Sequence, residues 1–363
     1  MKKWIIRIIV GLVLTITVVL TSAFVLEKID KAVVVKYAKN ENLKTLKADW
    51  QGTPVDEKGR FVNHEHPFLG SMTDVLKWQL SSNPFKEAKQ NDTARLAVLD
   101  PAEFLASERD GILWLGHASV FVRLDGISIL IDPVFGNPSL ITRIVDVPNP
   151  LEKIKKLDYV LVSHDHRDHC DENTLRAIAR KFPYSRFLAG LGMEDLLNSW
   201  KSFENGVETA GWFQEFTTGE RLKIAFVPVR HWCRRGLFDM NERLWGGFVI
   251  SGAGKTIYFG GDSGFGSHYR ETAEVFGPID YFVIGIGAYE PRWFMQANHN
   301  NPADAFQAFL DARGKTLVPM HYGTFDLSDE PPSQPLTLLK EEAEKRGLGD
   351  KLKPLAINEG FYF

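Results

Sequence analysis

The stretch Ser163-His164-Asp165-His166-Arg167-Asp168-His169-Cys170 holds three of the chain's ten histidines within eight positions. Imidazole and carboxylate groups are ligands of zinc and similar borderline metals, and catalytic sites of that kind keep a position open for water. His164 and His166 alternate where a strand runs out, so both can face one point. Asp168 and His169, after a turn, can address a second point nearby. Three more metal-capable residues stand far along the chain, at His231, Asp262 and His321. Two metals about 3.5–4 Å apart need a bridging group. A lone aspartate on a glycine-rich turn suits that role, and Gly260-Gly261-Asp262-Ser263-Gly264 is such a turn. His231 and His321 then complete one metal each. A structural zinc more often draws on a closed, cysteine-rich set, whereas Cys170 and Cys233 only flank ligands here.

The elements that must position these residues follow from the pattern. ILWLGHASVFVRLDGISILIDP (112–133) reads as strands joined by a turn at Asp125-Gly126, and LDYVLVS (157–163) as a buried strand. DENTLRAIARKF (171–182) reads as a helix with Asp171 as its N-cap. Further strands are expected at 222–229, 247–261, 280–287 and 315–320, and a helix at 301–314 closed by Gly314. His164, His231, Asp262 and His321 each come just past the end of a different strand. Loops along one sheet edge are where α/β scaffolds assemble active sites. Strands arrive first in runs and later alternate with helices, which points to an α/β fold of sheets covered by helices.

The 363 residues are 44% hydrophobic and 25% charged, a globular composition with no Pro/Gly/Ser-rich linker to divide it. A net charge of −3 without a long basic run argues against a nucleic-acid partner. Two cysteines are too few for a disulfide scaffold. At the N-terminus, Lys2, Lys3 and Arg7 precede an uncharged run from Ile8 to Leu26. That run reaches the roughly 20 residues a bilayer span needs and exceeds the roughly 7–15 of a signal-peptide core. The expected organisation is a membrane anchor over 1–27, a linker over 28–58 and one domain over 59–363. The leading cations favour an N-terminus in the cytoplasm and a domain on the outer, periplasmic face of the cytoplasmic membrane. Lys28, Lys31, Lys36 and Lys39 beyond the span blunt that asymmetry.

The HxHxDH loop followed by a distant His, Asp and His resembles the metallo-β-lactamase fold superfamily. WLGHAS (114–119), ILIDPVFG (129–136), HWCRRGLFDMNERLWGG (231–247), GGDSGFG (260–266), GAYEPRWFMQANHNNPADA (287–305) and MHYGTF (320–325) narrow the likeness. They resemble the branch of N-acyl-phosphatidylethanolamine-hydrolysing phospholipase D and its bacterial relatives, as does GRFVNHEHP (59–67). The likeness runs from about Gly59 to the C-terminus.

This resemblance implies an αββα sandwich with two zinc ions (Zn2+) per chain at one edge. His164, His166 and His231 would hold one ion, Asp168, His169 and His321 the other, and Asp262 would bridge. A water or hydroxide between the metals would be the nucleophile, its pKa lowered by the ions, and Asp168 would orient it. His299 matches a histidine of the phospholipase branch and would contact substrate phosphate or donate a proton. His117 and Asp132 would stand behind the ligands, Asp132 orienting a ligand histidine or holding the loop. Tyr289, Trp293 and Phe294 would shape an acyl groove or lie against the bilayer. His64, His66 and His268 read as surface or loop residues. The implied activity is a phospholipase D-type phosphodiesterase that splits a phospholipid into phosphatidic acid and an N-acylethanolamine. The alternatives are a lactonase or carboxylic ester hydrolase on the same metals, a nuclease, and a non-catalytic metal-binding envelope protein. The complete set of seven ligands argues against the last.

Overall fold

Consecutive apolar residues on a strand face opposite ways. In the strands Gly111–Trp114 and Val120–Leu124, Ile112, Trp114, Val120 and Val122 enter one core, while Leu113 and Phe121 enter another. A sheet apolar on both faces must be covered on both. The structure, a computed structural model, describes residues 36–65, 72–138, 141–200 and 206–363. Its first large sheet has seven strands in the order Val207–Ala210, Arg186–Gly190, Tyr159–Val162, Ile127–Ile131, Val120–Leu124, Gly111–Trp114, Glu359–Tyr362. The second, also of seven, runs Thr316–Met320, Tyr281–Gly285, Lys255–Phe259, Gly247–Gly252, Leu222–Val227, Gln214–Glu215, Lys44–Thr45. The two sheets share the larger core. Helices Glu172–Lys181 and Met193–Ser199 cover the outer face of the first through Leu175, Ile178, Met193 and Leu197. On the second, Tyr258 and Phe282 stack at 4.7 Å and meet Tyr269 and Phe309 of helices His268–Phe276 and Pro302–Asp311. The layers are therefore αββα.

Strand direction explains why the candidate ligands gather. Ile127–Ile131 and Tyr159–Val162 are parallel, as are Lys255–Phe259, Tyr281–Gly285 and Thr316–Met320. Leu222–Val227 runs the same way as Lys255–Phe259, since both pair antiparallel with Gly247–Gly252. The C-terminal strand ends thus lie along one edge. The hairpin turn sits at Asp125-Gly126, both at positive φ (53° and 70°), as a two-residue type I′ turn requires. Asp171 caps its helix by accepting Thr174 N at 2.9 Å. The helix at 302–311 closes differently from expectation. Arg313 takes the left-handed position (φ 53°), and Gly314 follows it, donating to Phe309 O. Gly314 is needed for space, because a Cβ there would sit 2.3 Å from the Phe309 ring.

Residues 36–58, expected as linker, are folded onto the domain. Lys36–Ala38 pairs with Thr53–Val55, Lys44–Thr45 adds a strand beside Gln214–Glu215, and Trp50 packs edge-on against Phe213 at 5.0 Å. These strands are two or three residues long, and Lys44–Thr45 has its partner far along the chain, so no local period announces them. The expected anchor over 1–27 lies outside the described residues; among those, no helix is long and apolar enough to cross a membrane.

Glu271 ties this arm down, bonding Lys47 and facing His64 at 3.3 Å. The His64 contact first, then Lys47, hold its carboxyl down to about 2 from the ordinary 4.5, against burial. A depressed carboxyl stabilises the fold above its unfolded pKa, and that share is lost as pH falls from 4.5 through about 2. Glu271→Gln should therefore cost about 1 kcal/mol at pH 7 and nothing near pH 2, read as melting temperature against pH.

Candidate metal centre

Past Val162 the chain turns so tightly that His169 N and Cys170 N both bond His166 O, at 3.1 and 2.8 Å. His166 Nδ1 then lies 3.0 Å from His164 Nε2 and 3.2 Å from His231 Nε2. The outer nitrogens assign the protons. His231 Nδ1 is 3.1 Å from Asn298 O, which can only accept. Ser163 Oγ donates to Asp132 Oδ2 at 2.5 Å and so accepts from His164 Nδ1 at 2.9 Å. His164 and His231 therefore turn lone pairs toward His166 Nδ1, which carries at most one proton for the two of them, so a nitrogen lone pair is left for a cation.

A second group lies alongside. Asp168 Oδ2 accepts from His117 Nε2 at 2.9 Å and is 3.6 Å from both His169 Nε2 and His321 Nε2. Asp262 stands between the groups. Its Oδ2 is 3.2 Å from His169 Nε2, 3.8 Å from His231 Nε2 and 3.9 Å from His164 Nε2, and its Oδ1 is 3.0 Å from His321 Nε2. All seven expected ligand residues thus meet at one edge, as His164, His166, His231, Asp262 and as Asp168, His169, His321 joined by His117.

The donor set fits metal ions. His169 Nε2, His321 Nε2 and Asp262 Oδ1 are buried without hydrogen-bond partners, the last two facing each other out of alignment for one. Orphaned buried groups cost about 1–3 kcal/mol each. Burial first, then mutual repulsion, lowers the pKa of His164 and His231, so both stay neutral and ligand-competent. Against the same burial, Asp262 and Asp168 carry His321 up to about 9 and His169 well above its ordinary value. Both carboxylates are held well below the usual range despite burial, His169 being the strongest influence. Without a metal the two carboxylates are balanced by protons on His169 and His321, a role that bound cations would take over. Nitrogen and oxygen donors without thiolate suit zinc or another borderline divalent ion.

The backbone is bent to achieve this. His117 (φ 51°), Asp132 (φ 44°) and His321 (φ 60°) adopt the left-handed region, uncommon outside glycine and frequent at functional sites. His321 N donates to His117 O at 3.0 Å and Trp114 stacks on Tyr322 at 5.3 Å, so the two sheets are clasped directly behind the ligands. Gly261 (φ 54°) is required, since a Cβ would sit 3.1 Å from both Gly246 O and Ser163 Cβ.

A match to the beta-lactamase superfamily domain spans residues 128–322, over half of the chain. This chain belongs to that superfamily. Its αββα layers are the metallo-β-lactamase fold. N-acyl-phosphatidylethanolamine-hydrolyzing phospholipase D 1 of Caenorhabditis elegans is 34% identical, over 64% of this chain and 69% of that protein. The mitochondrial enzyme of that name from Saccharomyces cerevisiae is 29% identical over 66% of this chain and 53% of its own length. Igni18, a metallo hydrolase from Ignicoccus hospitalis, superposes with a TM-score of 0.54 at 23% identity, over 70% of this chain and 98% of its own.

Within this superfamily member, Asp132 Oδ2 accepts from His169 Nδ1 at 2.8 Å, and its Oδ1 accepts from Ser163 N at 2.7 Å. His299 reaches the site: its Nδ1 is 3.9 Å from Asp262 Oδ2 and its side chain is 15% exposed. Burial pushes it down to about 4, so it is a neutral imidazole at neutral pH. Trp293 is exposed, under Lys77 at 4.3 Å, and lines a cleft of about 530 Å³ with Arg230, Phe265, Arg292 and Phe294. Tyr289 does not join it. This residue, expected to bind substrate, is buried with its hydroxyl on Gln334 Oε1 at 2.7 Å, because Gln334 opens a helix packed over its loop. His268, expected at the surface, is buried with Nε2 3.1 Å from Ser263 Oγ, and His66 lies outside the described residues. Cys170 and Cys233 are free, buried in different cores, and burial raises both thiols. Sequence reasoning passed over three supports: Ser163, Asn298 and Asp165. The strand-like alternation that aims His164 and His166 one way aims Asp165 the other, and that signal was available.

Asp132→Asn leaves the His169 tautomer unspecified. Metal affinity, measured by chelator competition, should fall about 10–100-fold with the fold retained.

Proposed function

We propose that this chain is a dinuclear zinc phosphodiesterase of phospholipase D type, acting on N-acyl-phosphatidylethanolamine or a related phospholipid. The observation that carries the reading is Asp262, whose two oxygens address different histidines at the junction of two ligand groups. One structural ion would not need such a junction. The 34% identity with the Caenorhabditis elegans phospholipase supports the substrate class. Residues 1–27 would hold the enzyme at the cytoplasmic membrane with the domain on its outer face.

His164, His166 and His231 would hold one ion and Asp168, His169 and His321 the other, beside Asp262; bound there, the ions would supply Lewis acidity toward a phosphoryl oxygen and acidify water near neutral pH. The chain's own groups do the rest. Asn298 and Asp132 keep protons on the outer nitrogens of His231 and His169. His117 donates to Asp168 Oδ2 and so fixes the carboxylate that would orient the attacking water. His299, at the margin of the cluster, offers an N–H to a phosphoryl or leaving oxygen. The cleft beside Arg230 carries cations at Arg230 and Arg292 as well as carboxylates at Asp74 and Asp304, and Phe265, Trp293 and Phe294 give it apolar walls.

Metal analysis of purified protein should find close to two equivalents of zinc per chain; one or none would sink the dinuclear assignment. His166→Ala and Asp262→Asn should each lower kcat by at least about 10³-fold with circular dichroism unchanged. On a panel of N-acyl-phosphatidylethanolamine, a bis-aryl phosphate and a sugar lactone, the two phosphodiesters should turn over. Turnover of the lactone alone would replace the phosphodiesterase with an ester hydrolase on the same metals.

A further inference from the structure

The loop after His231 ends in a feature that metal binding does not explain. Phe238 is 91% exposed and its neighbour Leu237 76%. Two large apolar side chains in water at a loop tip are unfavourable unless something else covers them. The tip is not slack. Asp239 Oδ1 accepts Gly236 N at 2.7 Å and Arg235 N at 3.3 Å. Arg243 Nη1 bonds Asp239 Oδ2 at 2.7 Å and Asp165 Oδ2 at 2.9 Å. Asp165 Oδ1 accepts Arg234 N, and Arg235 Nη1 reaches Asp165 O and Cys170 O. Both shoulders of the tip are therefore fastened to Asp165, the residue between His164 and His166. Whatever the tip touches has a set position relative to the metal-binding edge.

The backbone lowers the cost of leaving water. Arg234 curls over the tip, with Nε on Gly236 O and Nη2 on Leu237 O, each at 3.0 Å. With Gly236 N on Asp239, three of the tip's polar backbone groups are already paired. Each pairing lowers the cost of taking that group out of water, which suits a tip that enters only the outer, still hydrated part of a bilayer. The surroundings agree in charge and type. Arg167 is exposed on the ligand loop, and Trp232 is half-exposed, edge-on to His166 at 4.6 Å. Cations and amphipathic aromatics are the residues that settle at anionic headgroups. A second copy of the chain is a poorer occupant, because two side chains fall far short of the roughly 800 Å² per partner of a stable interface.

We propose that Leu237-Phe238 is a wedge that enters the outer part of an anionic lipid bilayer and sets the metal-binding edge against the headgroups. Entry into lipid stands on the loop alone; delivery of a headgroup to the metals rests on the phospholipid reading above. Because both native cysteines are buried, a bimane label can be placed on Phe238→Cys, with Tyr184→Cys as control. Tyr184 is 85% exposed and precedes the strand Arg186–Gly190, at the opposite edge. The labelled full chain would be reconstituted in vesicles of equal parts phosphatidylglycerol and phosphatidylcholine carrying brominated acyl chains. Quenching at 238 and not at 184 is the expected result; no quenching at 238, or equal quenching at both, overturns the wedge. The pair Leu237→Ser with Phe238→Ser should lower turnover of phospholipid in vesicles by about tenfold and leave that of a soluble bis-aryl phosphate unchanged. Equal loss on both substrates overturns the wedge as well. Quenching at 238 in a protein that turns over no phospholipid retires the proposed substrate and leaves the wedge standing.

Discussion

Asp168 and Asp262 are two ionised carboxylates taken out of water within a few ångströms of each other, and the edge is organised around balancing them. Their neighbours are imidazoles, which supply positive charge only by holding a proton or by sharing a bound cation. Protonation serves His169 and His321, which face the carboxylates directly. It does not serve His164, His166 and His231, whose nitrogens converge on one another. The site therefore divides into histidines that hold protons against the carboxylates and histidines whose lone pairs are left for a cation. The hydrogen bonds behind them, from Ser163, Asp132 and Asn298, make sense as the means of keeping lone pairs aimed inward. The strained backbone at His117, Asp132 and His321 follows from the same demand, since relaxed strand ends would carry these side chains past the centre.

Much of this was legible in the residues because it obeys short-range rules. The Asp125-Gly126 hairpin, the Asp171 cap and the buried strand before Ser163 depend on local turn chemistry and period, and they stand where those rules put them. The gathering of His164, His231, Asp262 and His321 was legible for a subtler reason. Strands that run the same way in sequence order deliver their ends to the same edge, so a ligand after each strand is a spatial statement.

What escaped reading depends on partners distant in sequence. Residues 36–58 look featureless because their hydrogen bonds go to Phe213, Gln214 and Glu215. Tyr289 resembled a lining residue by type and position, but Gln334, forty-five residues on, claims its hydroxyl. At 312–314 the glycine was read as the left-handed closer, while the deciding contact was the Phe309 ring that leaves room for nothing larger. Asp165 was overshadowed by the histidines on either side, although its burial organises the neighbouring loop.

Each ligand group draws donors from both sheets: His164, His166, Asp168 and His169 from one, His231, Asp262 and His321 from the other. The gap between the sheets is therefore also the gauge of the metal site. Trp114 stacked on Tyr322, immediately behind the ligands, works as a shim of fixed thickness. The loops around the edge can accordingly vary while aromatic residues in the core keep the two sheets, and the ligands they carry, at one spacing.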